Sequence, residues 1–211
     1  HGPVQLADVG RTAINVAGAN LEQFTRGAVL TQGPGIEATD RLLVALARPV
    51  DLGAPGAQGS RPAWPPADGA RVRLHIGTAQ VAATIGRRGR EGVDLPDGRV
   101  GAILRLADSI VTFVGDRGVV RRPSPGAIVA GLVVLDPRPA QGVARRRATP
   151  ERLAGLAAAV SEGDVDAAAD AVVALHGAVS ADRVSAVAAS LARYGGGGPT
   201  VGPGLVLAPD I

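Results

Sequence analysis

The sequence predicts a mainly β chain that ends in a small α/β module, and two features predict it. The spacing of apolar residues changes from a period of two to about 3.6 near residue 149. The charge balance changes sign at the same place. Before Thr149 lie 19 arginines and 12 acidic residues; from Thr149 onward there are 3 arginines and 7 acidic residues.

The β reading begins with residues 1–33. Arg11-Thr-Ala-Ile-Asn-Val-Ala-Gly18 alternates in side-chain character, and Arg26-Gly-Ala-Val-Leu30 follows a short polar connection. Residues 36–50 are rich in β-branched and small side chains. Residues 51–70 are dense in Gly, Pro and Ala, carry Trp64, the only tryptophan, and are expected to form a long surface loop. Arg71-Val-Arg-Leu-His-Ile76 is the clearest strand. Val72, Leu74 and Ile76 share one face, while Arg71, Arg73 and His75 share the other. Residues 81–85, 100–106, 110–114, 118–122 and 127–135 continue the pattern between Gly, Pro and Asp turns. Short strands at such spacing point to a barrel or sandwich.

Residues 139–148 read as a linker containing Arg145-Arg-Arg147. Thr149 and Pro150 then form a helix start, with Leu153, Leu156, Ala157 and Val160 along one stripe. A second helix is expected over 165–176, stopped by Gly177. A third starts at Ser180, and Leu205-Val-Leu-Ala208 reads as a strand. Three helices followed by a β-hairpin is the order of a winged-helix module, here over 149–211.

Composition excludes several chemistries. The absence of cysteine removes disulfides and thiolate sites. Every basic residue other than histidine is arginine, so the chain lacks the lysine that a P-loop places on nucleotide phosphates. Nothing resembles a signal peptide or an 18-residue apolar span, so a cytoplasmic protein without membrane attachment is expected. A chain that opens at His1 and contains no methionine is expected to be a piece of a longer protein. His1, His75 and His176 are too scattered for a metal site. Asp116 and Asp136 read as turn residues, and Ser124 has no histidine near it in sequence. The chain is therefore expected to be non-enzymatic, with no cofactor of its own.

The arginines are more informative. Arg117, Arg121 and Arg122 fall on one strand and its turn, Arg71 and Arg73 share a strand face, and Arg11 and Arg26 bracket the first module. Guanidinium forks suit phosphate oxygens. Charge alone leaves open a solvated surface or an RNA-binding one. With two Phe, one Tyr and one Trp, reading of an RNA backbone is favoured over stacking on bases.

Five segments taken in order resemble a known family. They are Val9-Gly-Arg-Thr-Ala-Ile-Asn-Val-Ala-Gly18, Arg26-Gly-Ala-Val-Leu30, Leu74-His-Ile-Gly-Thr78, Gly115-Asp-Arg-Gly-Val-Val-Arg-Arg-Pro-Ser-Pro125 and Gly131-Leu-Val-Val-Leu-Asp136. This series is similar to the second and third domains of the selenocysteine-specific translation elongation factors. The resemblance implies translation-factor β-barrels: the C-terminal part of domain 2 over 1–33, domain 3 over 34–138, and a winged-helix domain after the linker. It places the GTPase, with its GTP and Mg, in a part of the parent protein preceding His1.

The implied partners are selenocysteinyl-tRNA, the ribosome, and a selenoprotein messenger hairpin held by further C-terminal modules. Arg11 falls where the family binds the selenocysteinyl group, with Val9 and Gly10 in place of Gly-Gln. Arg121 matches the arginine that meets the tRNA 5′ end, and Arg73, Arg117 and Arg122 are expected to support it. Gly118 stands where phenylalanine usually follows Gly-Asp-Arg, so a lost core anchor and a weakened strand are expected. The alternatives are the aminoacyl-tRNA-binding part of another translation GTPase, or a non-catalytic protein-interaction module.

Overall fold

A computed structural model describes residues 24, 27–31, 36–49, 63–124, 127–192 and 206–207. Arg11 and Arg26, like most of the first module, lie outside the described residues. The described chain is mainly β with three helices after it. Its strands are β1 (Leu30–Thr31), β2 (Thr39–Ala47), β3 (Arg71–Ile76), β4 (Ala79–Gly86), β5 (Val100–Ile110), β6 (Arg117–Arg121), β7 (Ile128–Asp136) and β8 (Val206–Leu207). Six of these close an antiparallel barrel in the order β2-β5-β4-β3-β6-β7.

Alternation builds the barrel core. Leu42, Val44 and Leu46 of β2 point inward with Val72, Leu74 and Ile76 of β3, and Ala102, Leu104 and Leu106 of β5 join them. Trp64 packs against this core from the segment expected to be a surface loop. β2 is buried on both faces, as its unbroken Leu-Leu-Val-Ala-Leu run requires. Its outward Leu43 and Ala45, with Ile103 of β5 and Leu135 of β7, meet the helices in a second core.

Those helices are α1 (Pro150–Glu162), α2 (Val165–His176) and α3 (Ala181–Ala192). The Thr149 hydroxyl accepts from Arg152 N and Asp164 accepts from Ala167 N, which sets the starts of α1 and α2. Gly163 takes a positive φ of 72° and ends α1. Leu153, Leu156 and Val160 of α1, Val172 and Leu175 of α2, and Val187 and Leu191 of α3 pack on the barrel's outer apolar patch. The linker is a built seam: Gly142–Arg147 forms a 3-10 helix whose Arg145 reaches back to Glu91 in the β4–β5 loop.

One expectation changes. The strand expected over 110–114 is absent, because β5 runs on to Ile110 and the chain then turns. Asp116 holds that turn, its Oδ2 accepting from Thr112 Oγ1 at 2.7 Å and Phe113 N at 2.9 Å. At Gly118, where a lost core anchor and a weakened strand are expected, the neighbours lie close: a Cβ there would sit 2.8 Å from the His75 carbonyl oxygen and 3.4 Å from Ile76 and Leu132 side chains. The terminal strand pairs Val206–Leu207 with β1, in the register Leu30↔Leu207 and Thr31↔Val206. The rest of the expected wing lies outside the described residues.

Candidate nucleic-acid interface

One outer face of the barrel collects arginines from three strands. On β3 the alternation that buries Val72 and Leu74 leaves Arg71 and Arg73 exposed. Arg73 lies directly across from Arg121 of β6, and from Ala82 of β4 on its other side. Arg71 lies across from Thr84, and Thr84 lies across from Arg105 of β5. The sequence Arg105, Thr84, Arg71, Arg73, Arg121 therefore crosses four neighbouring strands, a span of roughly 15 Å at about 4.8 Å per strand.

Local details aim these side chains. A β-bulge between Val120 and Arg121 shifts the β6–β7 register at the arginine itself. Arg122 follows in the turn, its N–H donating to the Ala127 carbonyl at 2.8 Å. The guanidinium of Arg105 lies over Gly86, with Nη1 3.4 Å from where a Cβ would stand. Between Arg71, Arg73 and Arg105 lies a concavity of about 320 Å³, floored by Ala82, Ala83 and Thr84 and bounded by Pro123. Small floor residues leave the guanidinium groups standing proud around it.

What distinguishes this face is that its arginines are cross-strand neighbours. Some other arginines have carboxylate partners, Arg88 with Asp68, Arg99 with Asp97, Arg138 with Glu37, Arg145 with Glu91 and Arg183 with Asp136, while Arg41, Arg48, Arg90, Arg146, Arg147 and Arg152 have none among the described residues. Among the described residues, Arg71, Arg73, Arg105, Arg117 and Arg122 form no salt bridge. Asp68, whose charge Arg105 feels, is already committed: the N–H groups of Arg87 and Arg88 hold its carboxyl below the usual range, aided by the charges of Arg88 and Arg105. Like charges directly across a strand pair cost about 0.2–1 kcal/mol each. An anionic partner laid across the face would turn that cost into attraction.

The structure therefore brings together the expected Arg73 and Arg121 with Arg71, already read on the face of Arg73, and adds Arg105, while Arg122 follows Arg121 in the turn. Arg117 is exposed on the same strand as Arg121 but four residues away, about 13 Å along it. Arg105 was missed by sequence reasoning, although it is the one charge within the buried run 100–106 and so had to face outward.

Asp136 ends β7 and makes a turn contact as expected, but it also does more. It is buried, and its Oδ1 accepts from Arg183 Nη2 at 2.7 Å and Arg138 N at 2.8 Å. Its Oδ2 lies 2.7 Å from His176 Nε2. His176 therefore ends α2 but fastens that helix to the barrel rather than merely capping it. Among the described residues no group of His, Asp and Glu could hold a metal ion, and no helix is long and apolar enough to cross a membrane.

No protein-family model and no curated protein matches this chain. Among solved structures, the chain is similar to a bacterial selenocysteine-specific elongation factor EF-Sec, at 16% identity and a TM-score of 0.38. The match covers 64% of this chain and 18% of that protein, so the chain spans less than a fifth of its length.

Proposed function

We propose that this chain is the non-catalytic, RNA-binding part of a cytoplasmic translation elongation factor, and that its barrel holds the phosphate backbone of an aminoacyl-tRNA. The observation that carries this reading is the row of arginines from Arg105 to Arg121, unmatched by carboxylates at Arg71, Arg73 and Arg105 and set over small residues. A guanidinium keeps its charge at every relevant pH and binds phosphate oxygens in a fork. The shortage of aromatic residues suits a backbone reader better than a base reader.

The finer reading comes from the sequence resemblance. In it the tRNA carries selenocysteine, and Arg11 favours an ionised selenol over the neutral hydroxyl of a seryl group. GTP and Mg would act in another domain of the parent, and the ribosome and a messenger hairpin would be its further partners.

Salt titration of tRNA binding tests the coarser statement. If Arg71, Arg73, Arg105, Arg121 and Arg122 each meet one phosphate, log affinity falls against log salt with a slope of about −4.5. That is a loss of roughly 500-fold between about 50 and about 200 mM salt. Arg73→Gln should reduce the slope by about 0.9 and weaken seryl- and selenocysteinyl-tRNA alike. A flat salt response would leave a protein-interaction module as the better reading. Arg11→Ala in the parent protein tests the finer statement, since it should erase discrimination between the two aminoacyl groups while leaving the slope unchanged.

A further inference from the structure

A second cationic site lies just beyond the Arg105 end of the arginine row, where the helices meet the barrel rim. A cleft of about 540 Å³ opens between the start of β2, the end of β5, the linker and the facing ends of α2 and α3. Arg41, Arg138, Arg183 and His176 line it together with the Ser109 hydroxyl, and the exposed Asp40 stands at its edge. This volume falls in the range of small-molecule sites, about 300–1,000 Å³.

The charges around the cleft are unevenly satisfied. Arg183 is held by Asp136 and by the Arg138 carbonyl at 2.7 Å, and Arg138 pairs with Glu37. Asp136 also takes His176, so its charge is committed.

Arg41 is in a different position. Its Nε is buried without a hydrogen-bond partner among the described residues, and no described carboxylate forms a salt bridge with it. Burial, followed by the charge of Arg145, pushes its pKa down, with Arg105 adding to this and the charges of Glu91 and Asp40 opposing it without forming a salt bridge.

A β-bulge sets this side chain. The β2–β5 register shifts between Thr39 and Arg41, and the Thr39 hydroxyl both donates to the Arg41 carbonyl and accepts from the Arg41 N–H. Bulges re-aim side chains and recur at barrel rims beside functional sites. An unpaired half-buried guanidinium is costly unless an anion meets it.

We propose that this cleft binds a phosphate group, with Arg41 as its principal ligand and Arg138, Arg183 and Ser109 around it. Arg41 lies directly across β2 and β5 from Arg105, so the cleft adjoins the end of the arginine row, but it has its own walls in the linker and the ends of α2 and α3. The phosphate belongs either to a free small molecule or to an RNA end, and the experiment separates the two.

Pyrophosphate is titrated into the 211-residue chain, followed by thermal melting and calorimetry, with sodium chloride at matched ionic strength as the control. Calorimetry should show saturable binding, and melting temperature should rise by roughly 3–6 °C once ligand reaches about ten times Kd and continue with the logarithm of its concentration. Arg41→Gln should weaken binding at least about 10-fold, in keeping with loss of a charge-assisted contact worth about 1.5–3 kcal/mol. Arg73→Gln should leave it unchanged.

Without ligand, Arg41→Gln should melt no lower than the parent chain, since it removes an unmatched charge. Arg41→Lys keeps the charge without the fork and should bind with intermediate affinity. An equal gain from sodium chloride, unaltered binding by Arg41→Gln, or loss of binding in Arg73→Gln would each overturn the proposal. Transfer RNA affinity then assigns the source. If saturating pyrophosphate at matched ionic strength leaves it intact, the ligand is a free phosphorylated molecule; if pyrophosphate and tRNA compete, it is an RNA phosphate.

Discussion

The ion pair between Glu91 and Arg145 should be asymmetric when broken, and the asymmetry follows from burial. Glu91 sits in the β4–β5 loop with its side chain 4% exposed, whereas Arg145 in the 3-10 helix is 36% exposed. The pair is bidentate, with Arg145 Nε donating to Oε1 at 2.8 Å and Nη2 donating to Oε2 at 2.9 Å. Arg145→Ala strands a buried carboxylate. Removing one partner of a fully buried pair costs about 3–5 kcal/mol, and partial access of water on the arginine side brings the expectation to about 2–3 kcal/mol. At roughly 2–4 °C per kcal/mol for a chain of this size, melting should fall by about 4–12 °C.

Glu91→Gln keeps an acceptor and leaves an arginine that water can reach, so about 1–2 kcal/mol is expected. The double variant should be more stable than Arg145→Ala alone, because the stranded charge is gone. The pH dependence has a definite sign. Burial raises the Glu91 pKa, but the hydrogen bonds and charge of Arg145 more than offset this, and the net shift is downward. The pair's contribution is therefore complete above the unfolded carboxyl value of about 4.3 and is lost as pH falls through the lower folded value. Thermal melts of the four proteins between pH 7 and pH 3 measure all of this. The reasoning fails if Arg145→Ala loses no more stability than Glu91→Gln, or if Glu91→Gln keeps the parent's acid sensitivity.

Two further substitutions probe the fold that carries the arginines. Gly118→Val should destabilise by about 1–3 kcal/mol, because the added side chain meets the His75 carbonyl and the Leu132 side chain; denaturant melts would show it, and a neutral result would mean the strand can shift. Asp136→Ala should cost about 3–5 kcal/mol by stranding Arg183 and His176, with Asp136→Asn recovering part of it; an Asp136→Ala chain that melts like the parent would remove the junction from the account.

Local rules made much of the fold legible in the sequence. Arg71–Ile76 could be bounded to the residue because its alternation is strict and its core face is uniformly apolar. Val165–His176 could be bounded because Asp164 and Gly177 mark its ends. What failed was non-local. The residues after Ile110 are apolar enough for another strand, but Asp116 captures Thr112 and Phe113 and turns the chain. Asp136 looked like any strand-ending acid because its partners lie 40 and 47 residues away. Alternation shows which side chains leave the core but not what covers them, so Leu43 and Ala45 gave no hint that helices pack there, whereas Arg105 ends on an open face. The clustering of Arg73 with Arg121 became visible only when the register of β3 against β6 was known.

The absence of lysine sharpens what that clustering means. A buried lysine can relieve an unfavourable position by releasing its proton, but an arginine cannot, so each guanidinium must be met by water, a carboxylate or a bound anion. Along the seam between barrel and helices, where water is scarce, carboxylates answer the arginines: Glu91 for Arg145 and Asp136 for Arg183. Arg41 is the exception at that seam, and it opens onto a cleft. On the outer face water suffices for each exposed arginine alone, and solvation does not require them to be neighbours. Placing Arg73 directly opposite Arg121, with Arg71 and Arg105 one strand apart across Thr84, concentrates like charge where the same residues could have been dispersed. A polyanion crossing the face gains from that concentration, and a merely soluble surface does not.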